Sequence, residues 1–449
     1  MGQREPLVRL RLLSIGVVLG TTLVLAGCAT MGRTAPVTRE EIPGLQQRAA
    51  QDPGDGAVQL RLGAALMAAG RCEEAMAAAE RGRGILPHDP LGPLVIGRCL
   101  EEASRFDEAL DLYTAFIDAN PEGSGVASVQ GQRTVALRRQ ATAVARAAME
   151  NEENLGPADP ERVGVLPFLV VGDTAYQPLE VGLANMLTTD LALLQRFDMV
   201  ERVHLRALLD ELELPPELID SVTAARTGRL MQASRMILGT VEIPSEQEAR
   251  LTSNIVRETG EYAEPFSAQG DYRDLLNLEK EMAIRTAEAL GYQLTQAEVQ
   301  RIRRNVPGNL LAFLAFSRGL MAEDRGDFAA AADHYREAVE ADPNYREAQQ
   351  RMRSSVGAEA VSEAGPGEVT SSSSEVDQVL GLSPAGQTET TGVLTQVLEN
   401  SIVDVASHQA ERATENVGTS SPIEVVGDDS GGTPPLKALI VIIITIPRF

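Results

Sequence analysis

Tryptophan is absent from this chain of 449 residues, and aromatic residues make up only 4% of it. Base-stacking and sugar-stacking sites depend on aromatic rings, so neither kind of site is expected. Positive charge is also scarce, because 40 lysine and arginine residues stand against 64 aspartate and glutamate residues. The resulting net charge of −24 disfavours nucleic acid and anionic membrane surfaces as partners.

Signatures of catalysis and metal binding are missing too. No HExxH or CxxC spacing, no Gly-x-Ser-x-Gly elbow and no Gly-x-x-x-x-Gly-Lys-Ser/Thr loop occurs. Glu201-Arg202 could act as an acid/base pair, but a charged pair that ends a strand and fixes the next helix is the simpler interpretation. We therefore expect no enzymatic activity, no cofactor, no metal and no small-molecule substrate. The histidines lie in separate predicted elements: His88, His204, His334 and His408.

Residues 1–27 have the pattern of a secretion signal. Three arginines precede an apolar stretch, 12–26, that is short for a membrane span. The stretch runs into Leu25-Ala26-Gly27-Cys28, which looks like a lipoprotein processing box. Its small residues fit a narrow peptidase pocket, and the Cys28 thiol can form a thioether with diacylglycerol. An ordinary cleaved signal with a chance cysteine is the alternative.

Lipidation at Cys28 would hold the chain at a membrane, stably if a further acyl chain joins the new N-terminus. By analogy with the common sorting rule, Ala29 in place of aspartate implies the outer membrane. We therefore expect a chain that is lipid-anchored at the periplasmic face of the outer membrane, with a polar tether at 28–40.

Residues 160–305 carry alternating strand and helix signals. Apolar runs bounded by turn residues predict strands at 162–168, 197–203, 235–243, 249–258 and 261–270. Apolar residues at helical spacing predict helices at 181–194, 205–212, 222–232 and 275–290. The order βαβααβββα indicates an α/β fold, in which a mixed sheet carries helices on its faces.

Four pieces of this stretch occur in a characteristic order: Val165-Leu166-Pro167-Phe168, Val200-Glu201-Arg202, Ile237-Leu238-Gly239 and Leu290-Gly291. Together they resemble the CsgG/HfaB type of curli-secretion lipoprotein. The resemblance implies a protein of the cell envelope whose partners are periplasmic proteins or further copies of itself.

The namesake of that family is an oligomeric secretion pore with two membrane hairpins per subunit. Four spanning strands need about 40 residues of alternating pattern. Here 243–249 and 258–261 join successive strands, and both are too short for such an insertion. The first hypothesis is therefore a non-enzymatic protein–protein interaction and envelope-assembly module. The second is a subunit of a curli-type secretion channel.

A repeat precedes the α/β stretch, and its prolines recur every 34 residues: Pro53, Pro87 and Pro121. Arg71-Cys-Glu-Glu-Ala75 and Arg105-Phe-Asp-Glu-Ala109 align at the same offset. A period of 34 with helical apolar spacing and a closing proline resembles the tetratricopeptide repeat. Residues 41–151 should then form paired helices with a concave surface for a partner peptide or helix, capped by a helix at 135–149.

The same pattern returns once more at 308–353, where residues 326–343 align with 104–121. One isolated repeat cannot bury its own apolar face. It must dock on the α/β domain, stack against the N-terminal repeats or pair with another chain.

Cys72 and Cys99 are the two thiols that remain after lipidation of Cys28. They fall in elements that pack together in tetratricopeptide arrays, so they could form a disulfide in an oxidising periplasm. Two buried free cysteines are the alternative.

Beyond the last repeat the composition changes to glycine, serine, threonine and glutamate, which predicts disordered linkers at 354–391 and 414–435. An apolar stripe between them predicts an amphipathic helix at 392–413. The β-branched run at 436–449 predicts a strand that adds to an exposed sheet edge.

Overall fold

The computed structural model describes residues 36–171, 174–245, 248–364, 376–377 and 379–380. Cys28 lies outside these ranges, together with the predicted signal segment, the amphipathic helix at 392–413, the linker at 414–435 and the terminal strand at 436–449. Among the described residues, no helix combines the length and apolar character that crossing a membrane requires.

The described N-terminal residues form six helices: α1 (Ile42–Gln51), α2 (Gly56–Ala68), α3 (Cys72–Ile85), α4 (Leu91–Glu102), α5 (Phe106–Ala119) and α6 (Val126–Glu150). Small residues let neighbouring helices approach closely. A Cβ atom at Gly97 of α4 would come within 2.2 Å of the Tyr113 ring on α5. The buried Tyr113 hydroxyl donates to buried Glu101 at 2.8 Å. The predicted helical repeats are thus confirmed.

Helix α6 is longer than the predicted cap at 135–149, and it belongs to two cores. Val129 and Ala136 are buried in the core of the repeats. Ala141 and Ala145, farther along the same helix, are buried in a core under the sheet. A single continuous helix therefore connects the repeats with the α/β domain.

The described middle residues form a six-stranded sheet: β1 (Asp159–Val165), β2 (Leu169–Val170), β3 (Asp198–Met199), β4 (Ala233–Ser245), β5 (Glu248–Arg257) and β6 (Phe266–Gly270). The strand order is β3-β1-β4-β5-β6, and β2 also pairs with β4. β1 runs parallel to β3 and β4, whereas β5 runs antiparallel to both of its neighbours, β4 and β6. This arrangement confirms the predicted mixed sheet.

Helices cover both faces of this sheet: α7 (Leu179–Ala192), α8 (Arg202–Glu211), α9 (Ser221–Leu230), α10 (Leu275–Ala289) and α11 (Gln296–Arg304). Successive strand residues point to opposite faces. Accordingly Ile237 of β4 is buried with α7 and α10, while the preceding Met236 is buried with α6, α8 and α9.

Two predicted strands are shorter than expected. The strand predicted at 197–203 is reduced to the two residues of β3, because α8 already begins at Arg202. The leucines of α8 follow a helical spacing, and this pattern decides the structure from Arg202 onward. The strand at 261–270 begins only at Phe266, directly after Pro265, which has no N–H group to donate to a ladder. Tyr262 forms just an isolated bridge with Val256.

The C-terminal repeat consists of α12 (Leu310–Arg325), α13 (Phe328–Ala341) and α14 (Arg346–Glu363). The linker predicted from 354 is wrong over its first ten residues, because α14 continues to Glu363 and buries Val356 and Val361. A short helical turn also includes Val376 and Asp377. Packing against α6 overrides the polar composition of this segment.

The C-terminal repeat packs against both the α/β domain and the N-terminal repeats. On α7, a Cβ atom at Gly182 would lie 1.9 Å from the Ser317 hydroxyl of α12. On α6, a Cβ atom at Gly131 would lie 2.0 Å from the backbone of Gly357 in α14. The repeat therefore rests on the α/β domain and on the N-terminal repeats at once.

Candidate interaction surfaces

A largely but not fully buried cluster of charges lies where the three modules meet. Arg202, the first residue of α8, reaches the end of α12, where its Nη2 donates to Glu323 Oε1 at 2.8 Å. Its Nη1 pairs with Asp324 Oδ1. From α14, Arg351 Nη1 donates to both carboxylate oxygens of Glu323 at 2.9 and 3.1 Å. Tyr335 of α13 adds a hydrogen bond of 2.7 Å to Glu323 Oε2.

Helix α6 joins this cluster through Arg138. Its Nη1 donates to the backbone carbonyl of Glu323 at 2.7 Å. Both Nη1 and Nη2 lie 3.2 Å from the carbonyl oxygen of Asp324. These carbonyls belong to the last turn of α12, where few backbone donors are left. The N–H group of the C-cap residue Gly326 donates to the Glu323 carbonyl at 2.9 Å, and Arg138 adds a second donor to it. A cation there also balances the negative end of the helix dipole. Arg138, Arg202, Glu323, Asp324 and Arg351 are called the junction cluster below.

The electrostatics of the junction cluster show that Glu323 is ionised. Burial by itself raises the pKa of Glu323, but the charges of Arg351 and Arg202 more than offset that effect and hold the pKa at about 2. Removing one partner of a buried ion pair typically costs about 3–5 kcal/mol. The junction cluster therefore stabilises the contact between the modules.

A second buried group of charges lies in the α/β core. Lys280 Nζ of α10 is 2.5 Å from Asp190 Oδ2 of α7 and 2.9 Å from Glu279 Oε2. Asn305 Nδ2 donates to Asp190 Oδ1 at 2.7 Å. Neither oxygen of Glu279 has a partner with hydrogen-bond geometry. Burial, together with the charge of Asp190, raises the pKa of Glu279 to about 8.

Two clefts offer space for a partner. The repeat cleft, of about 320 Å³, lies between α3, α4 and α5 and is lined by Arg83, Pro87, Leu112 and Phe116. The junction cleft, of about 400 Å³, opens between α7, residues 304–308 and the C-terminal repeat. Clefts between domains are common binding sites.

The junction cleft combines a ring-lined wall with a charged rim. Phe313, Phe316 and Tyr345 line it, and the exposed Arg304 and Arg346 lie at its rim. Within the described ranges, neither arginine is in an ion pair with another residue. Asp342 and Glu347 also line the cleft, so the rim carries charges of both signs.

The two cysteines for which a disulfide is possible lie next to each other. The Sγ atoms of Cys72, the first residue of α3, and Cys99 of α4 are 2.20 Å apart, and their Cα atoms are 5.3 Å apart. The lipidation site Cys28 falls outside the described residues.

The structure corrects the interpretation of Glu201-Arg202. Arg202 does not pair with Glu201 but turns inward to the junction cluster, while Glu201 precedes α8 as its N-cap residue. His88 lies in the turn between α3 and α4, His204 in α8 and His334 in α13, and His408 is outside the described ranges. In the part of the chain that the structure describes, no three potential metal ligands come together.

The junction cluster escaped prediction, although the sequence held one signal for it. Glu323 and Asp324 stand in the last turn of α12, where the helix dipole disfavours negative charge. Acidic residues at that position indicate cationic partners elsewhere in the chain. Nothing local identifies those partners as Arg138, Arg202 and Arg351.

Comparison with known proteins finds two family models that match parts of the chain. Residues 167–247 match the model described as "Curli production assembly/transport component CsgG", and residues 300–346 match a tetratricopeptide repeat model. Among curated proteins, none matches the chain at a significant level.

Two solved structures share weak similarity with the chain. A tetratricopeptide repeat protein from Parabacteroides merdae ATCC 43184 has 11% sequence identity and a TM-score of 0.21, covering 71% of this chain and 90% of its own. The Naa15/Naa10 complex bound to HypK-THB has 15% identity and a TM-score of 0.19, covering 76% of this chain and 55% of its own. Scores this low support no argument. By its family matches, the chain combines one segment similar to the CsgG component with one segment similar to a tetratricopeptide repeat.

Proposed function

We propose that this chain is a lipid-anchored protein at the periplasmic face of the outer membrane, where it binds and assembles other proteins without catalysing a reaction. The processing box at Cys28 supports the anchor, and the match to a curli assembly/transport component supports the envelope location. The observation that carries the binding role is the shared helix α6 together with the junction cluster. They hold the repeat cleft and the junction cleft in one fixed arrangement, so a partner meets a preformed surface.

Photocrosslinking in cells tests the binding role. A photoreactive amino acid at Leu112 lies in the repeat cleft, and the same group at the exposed Glu73 on α3 is the matched control. We expect discrete protein adducts from position 112 that are missing from position 73. Identical adducts from both positions would contradict a partner site in the repeat cleft.

Metabolic labelling with palmitate tests the anchor separately. The wild-type chain should take up label and sediment with outer membranes, and Cys28→Ala should do neither. Equal labelling of both chains would refute lipidation at Cys28.

The disulfide remains a proposal that bears on the compartment, since such bonds persist in an oxidising periplasm. Alkylation of the unfolded protein without reductant should leave Cys72 and Cys99 unmodified, and reductant should expose both. Complete alkylation without reductant would indicate two free thiols.

The second candidate is a subunit of an oligomeric secretion channel. It is favoured by one observation, the match of residues 167–247 to an assembly/transport component. Ring-shaped particles that conduct ions in liposomes would support the channel. Particles that conduct no current would favour the assembly module.

A further inference from the structure

The start of α6 is capped by a residue from far along the chain. Gly125, its N-cap residue, has φ +73° and no side chain with which to cap the helix. Instead, the Gly125 N–H group lies 2.9 Å from both carboxylate oxygens of Asp377, and the Ser124 hydroxyl donates to the same carboxylate. The carboxylate thus meets unsatisfied donors and the positive end of the helix dipole.

Beside this cap lies a small apolar pocket. Ala127 of α6, Ala332 of α13 and Val356 of α14 form it, and Val376 fills it with 1% of its surface exposed. The partly buried Leu380 packs against the same group. The groove between these three helices therefore binds two consecutive residues. Its apolar pocket takes an aliphatic side chain, and the start of α6 binds the aspartate that follows. This groove is called the capping groove below.

The contact is small enough to be reversible. Val376 and Asp377 are buried, but Val379 remains 60% exposed. Because the segment lies on the same chain as the groove, we take its effective concentration to be on the order of 1 mM, so an intrinsic Kd of about 0.1 mM would keep the groove roughly 90% filled. A segment of such modest affinity can be displaced.

We propose that the capping groove is a peptide-recognition site for a short aliphatic-aspartate segment, and that Val376 and Asp377, with Leu380 beside them, are its intramolecular ligand. While this segment is bound, it closes the site against peptides of the same chemistry. When it leaves, the groove at the seam between α6 and α14 is open. Peptide binding to this groove depends neither on lipidation nor on any particular compartment.

A competition experiment on the full-length chain in detergent tests this proposal. The probe is a fluorescein-labelled peptide with the sequence of residues 374–382, Ser-Glu-Val-Asp-Gln-Val-Leu-Gly-Leu. The opened variant carries Val376→Ser and Asp377→Ala, which removes both anchors of the intramolecular ligand. Fluorescence anisotropy should show the probe binding the opened variant about 10-fold more tightly than the wild type, where the tethered segment competes.

Two controls locate the binding site. Adding Ala360→Glu to the opened variant places a negative charge at the half-buried edge of the groove and should weaken probe binding about 10-fold. Gln350→Glu adds the same charge at an exposed position of the same helix and should leave binding unchanged. Asparagine in place of aspartate in the probe should also weaken binding about 10-fold.

Equal affinity of the probe for wild-type and opened chains would overturn the proposal, as would absence of binding to the opened chain at 1 mM. Hydrogen exchange at 126–130 provides an independent readout. Exchange there should be faster in the opened variant and slow down again when the probe is added. Exchange that does not respond to the probe would equally count against the capping groove as a recognition site.

Discussion

Glu323 accepts hydrogen bonds from Arg202, Arg351 and Tyr335, which lie on three different helices. Its pKa is about 2 in the folded chain, below the ordinary value of 4.5. A carboxyl group with a depressed pKa contributes its full stabilisation above the unfolded value and loses it as the pH falls toward the folded value. Between about pH 4.5 and 2, protonation of Glu323 should therefore weaken the junction.

Arg202→Ala should lower the free energy of unfolding by up to about 3–5 kcal/mol, the cost of breaking a buried ion pair, because it leaves the largely buried Glu323 and Asp324 with fewer cationic partners. Arg206→Ala on the same helix is the matched control. Its pair with Asp210 is partly exposed, so a change below about 1 kcal/mol is expected. Urea unfolding measures both. A similar loss of stability in the two variants would show that Arg202 contributes no more than an exposed ion pair.

Glu279 has the opposite pH dependence. Its folded pKa of about 8 lies above the ordinary 4.5, so the folded chain holds a proton that the unfolded chain releases. This stabilisation is complete below about pH 4.5 and is lost as the pH rises through 8. Glu279→Gln removes the titrating group and should reduce the loss of stability between pH 5 and pH 8 by about 1–3 kcal/mol.

Urea unfolding at pH 5 and pH 8 tests this expectation. Glu288→Gln, at an exposed position of the same helix, should leave the pH dependence as it is in the wild type. A Glu279→Gln profile parallel to that of the wild type would mean that Glu279 does not titrate in this range.

Helix α14 depends on close packing against α6. Gly357 lies so near α6 that an added Cβ atom would be 1.9 Å from the carbonyl oxygen of Ala127. Backbone cannot shift as a flexible side chain can, so a methyl group there must push the two helices apart. The helical state of residues 354–363 rests on this contact, because their own composition favours a linker.

Gly357→Ala should therefore destabilise the α6–α14 contact by about 1–3 kcal/mol, although alanine favours helix more than glycine does. Hydrogen exchange should accelerate over 346–363 and over the first half of α6. Gly84→Ala is the matched control, since its position in α3 has nothing within 4 Å of an added Cβ atom. Protection in α3 should stay the same or rise. Unchanged protection of α14 in Gly357→Ala would contradict the close crossing.

The whole described chain should behave as one cooperative unit, because α6 is shared by two cores and the junction cluster joins the C-terminal repeat to both. Hydrogen exchange at increasing urea concentration should show segments 60–79, 235–256 and 312–338 losing protection at the same midpoint. The double variant Arg138→Ala with Arg202→Ala removes two of the arginines that bind the end of α12. In this variant, segment 312–338 should lose protection at a different urea concentration from the other two segments. Three separate midpoints in the wild type would refute this coupling.

The sequence alone determined the elements whose signals are local. The 34-residue spacing of the prolines predicted the helical repeats, and the strand and helix runs between 160 and 305 predicted the mixed sheet, both of which the structure confirms. Periodicity suffices here because each helix or strand shows its buried face within a few residues.

Only the tertiary structure decided the rest. The end of the strand after Met199, the helical state of 354–363 and the pairing of Arg202 with Glu323 all depend on segments that are distant in the chain. A local pattern shows that a face is apolar or that a charge needs a partner, but it does not identify the surface or residue that satisfies it. That choice follows from burial, which exists only once the three modules have packed together.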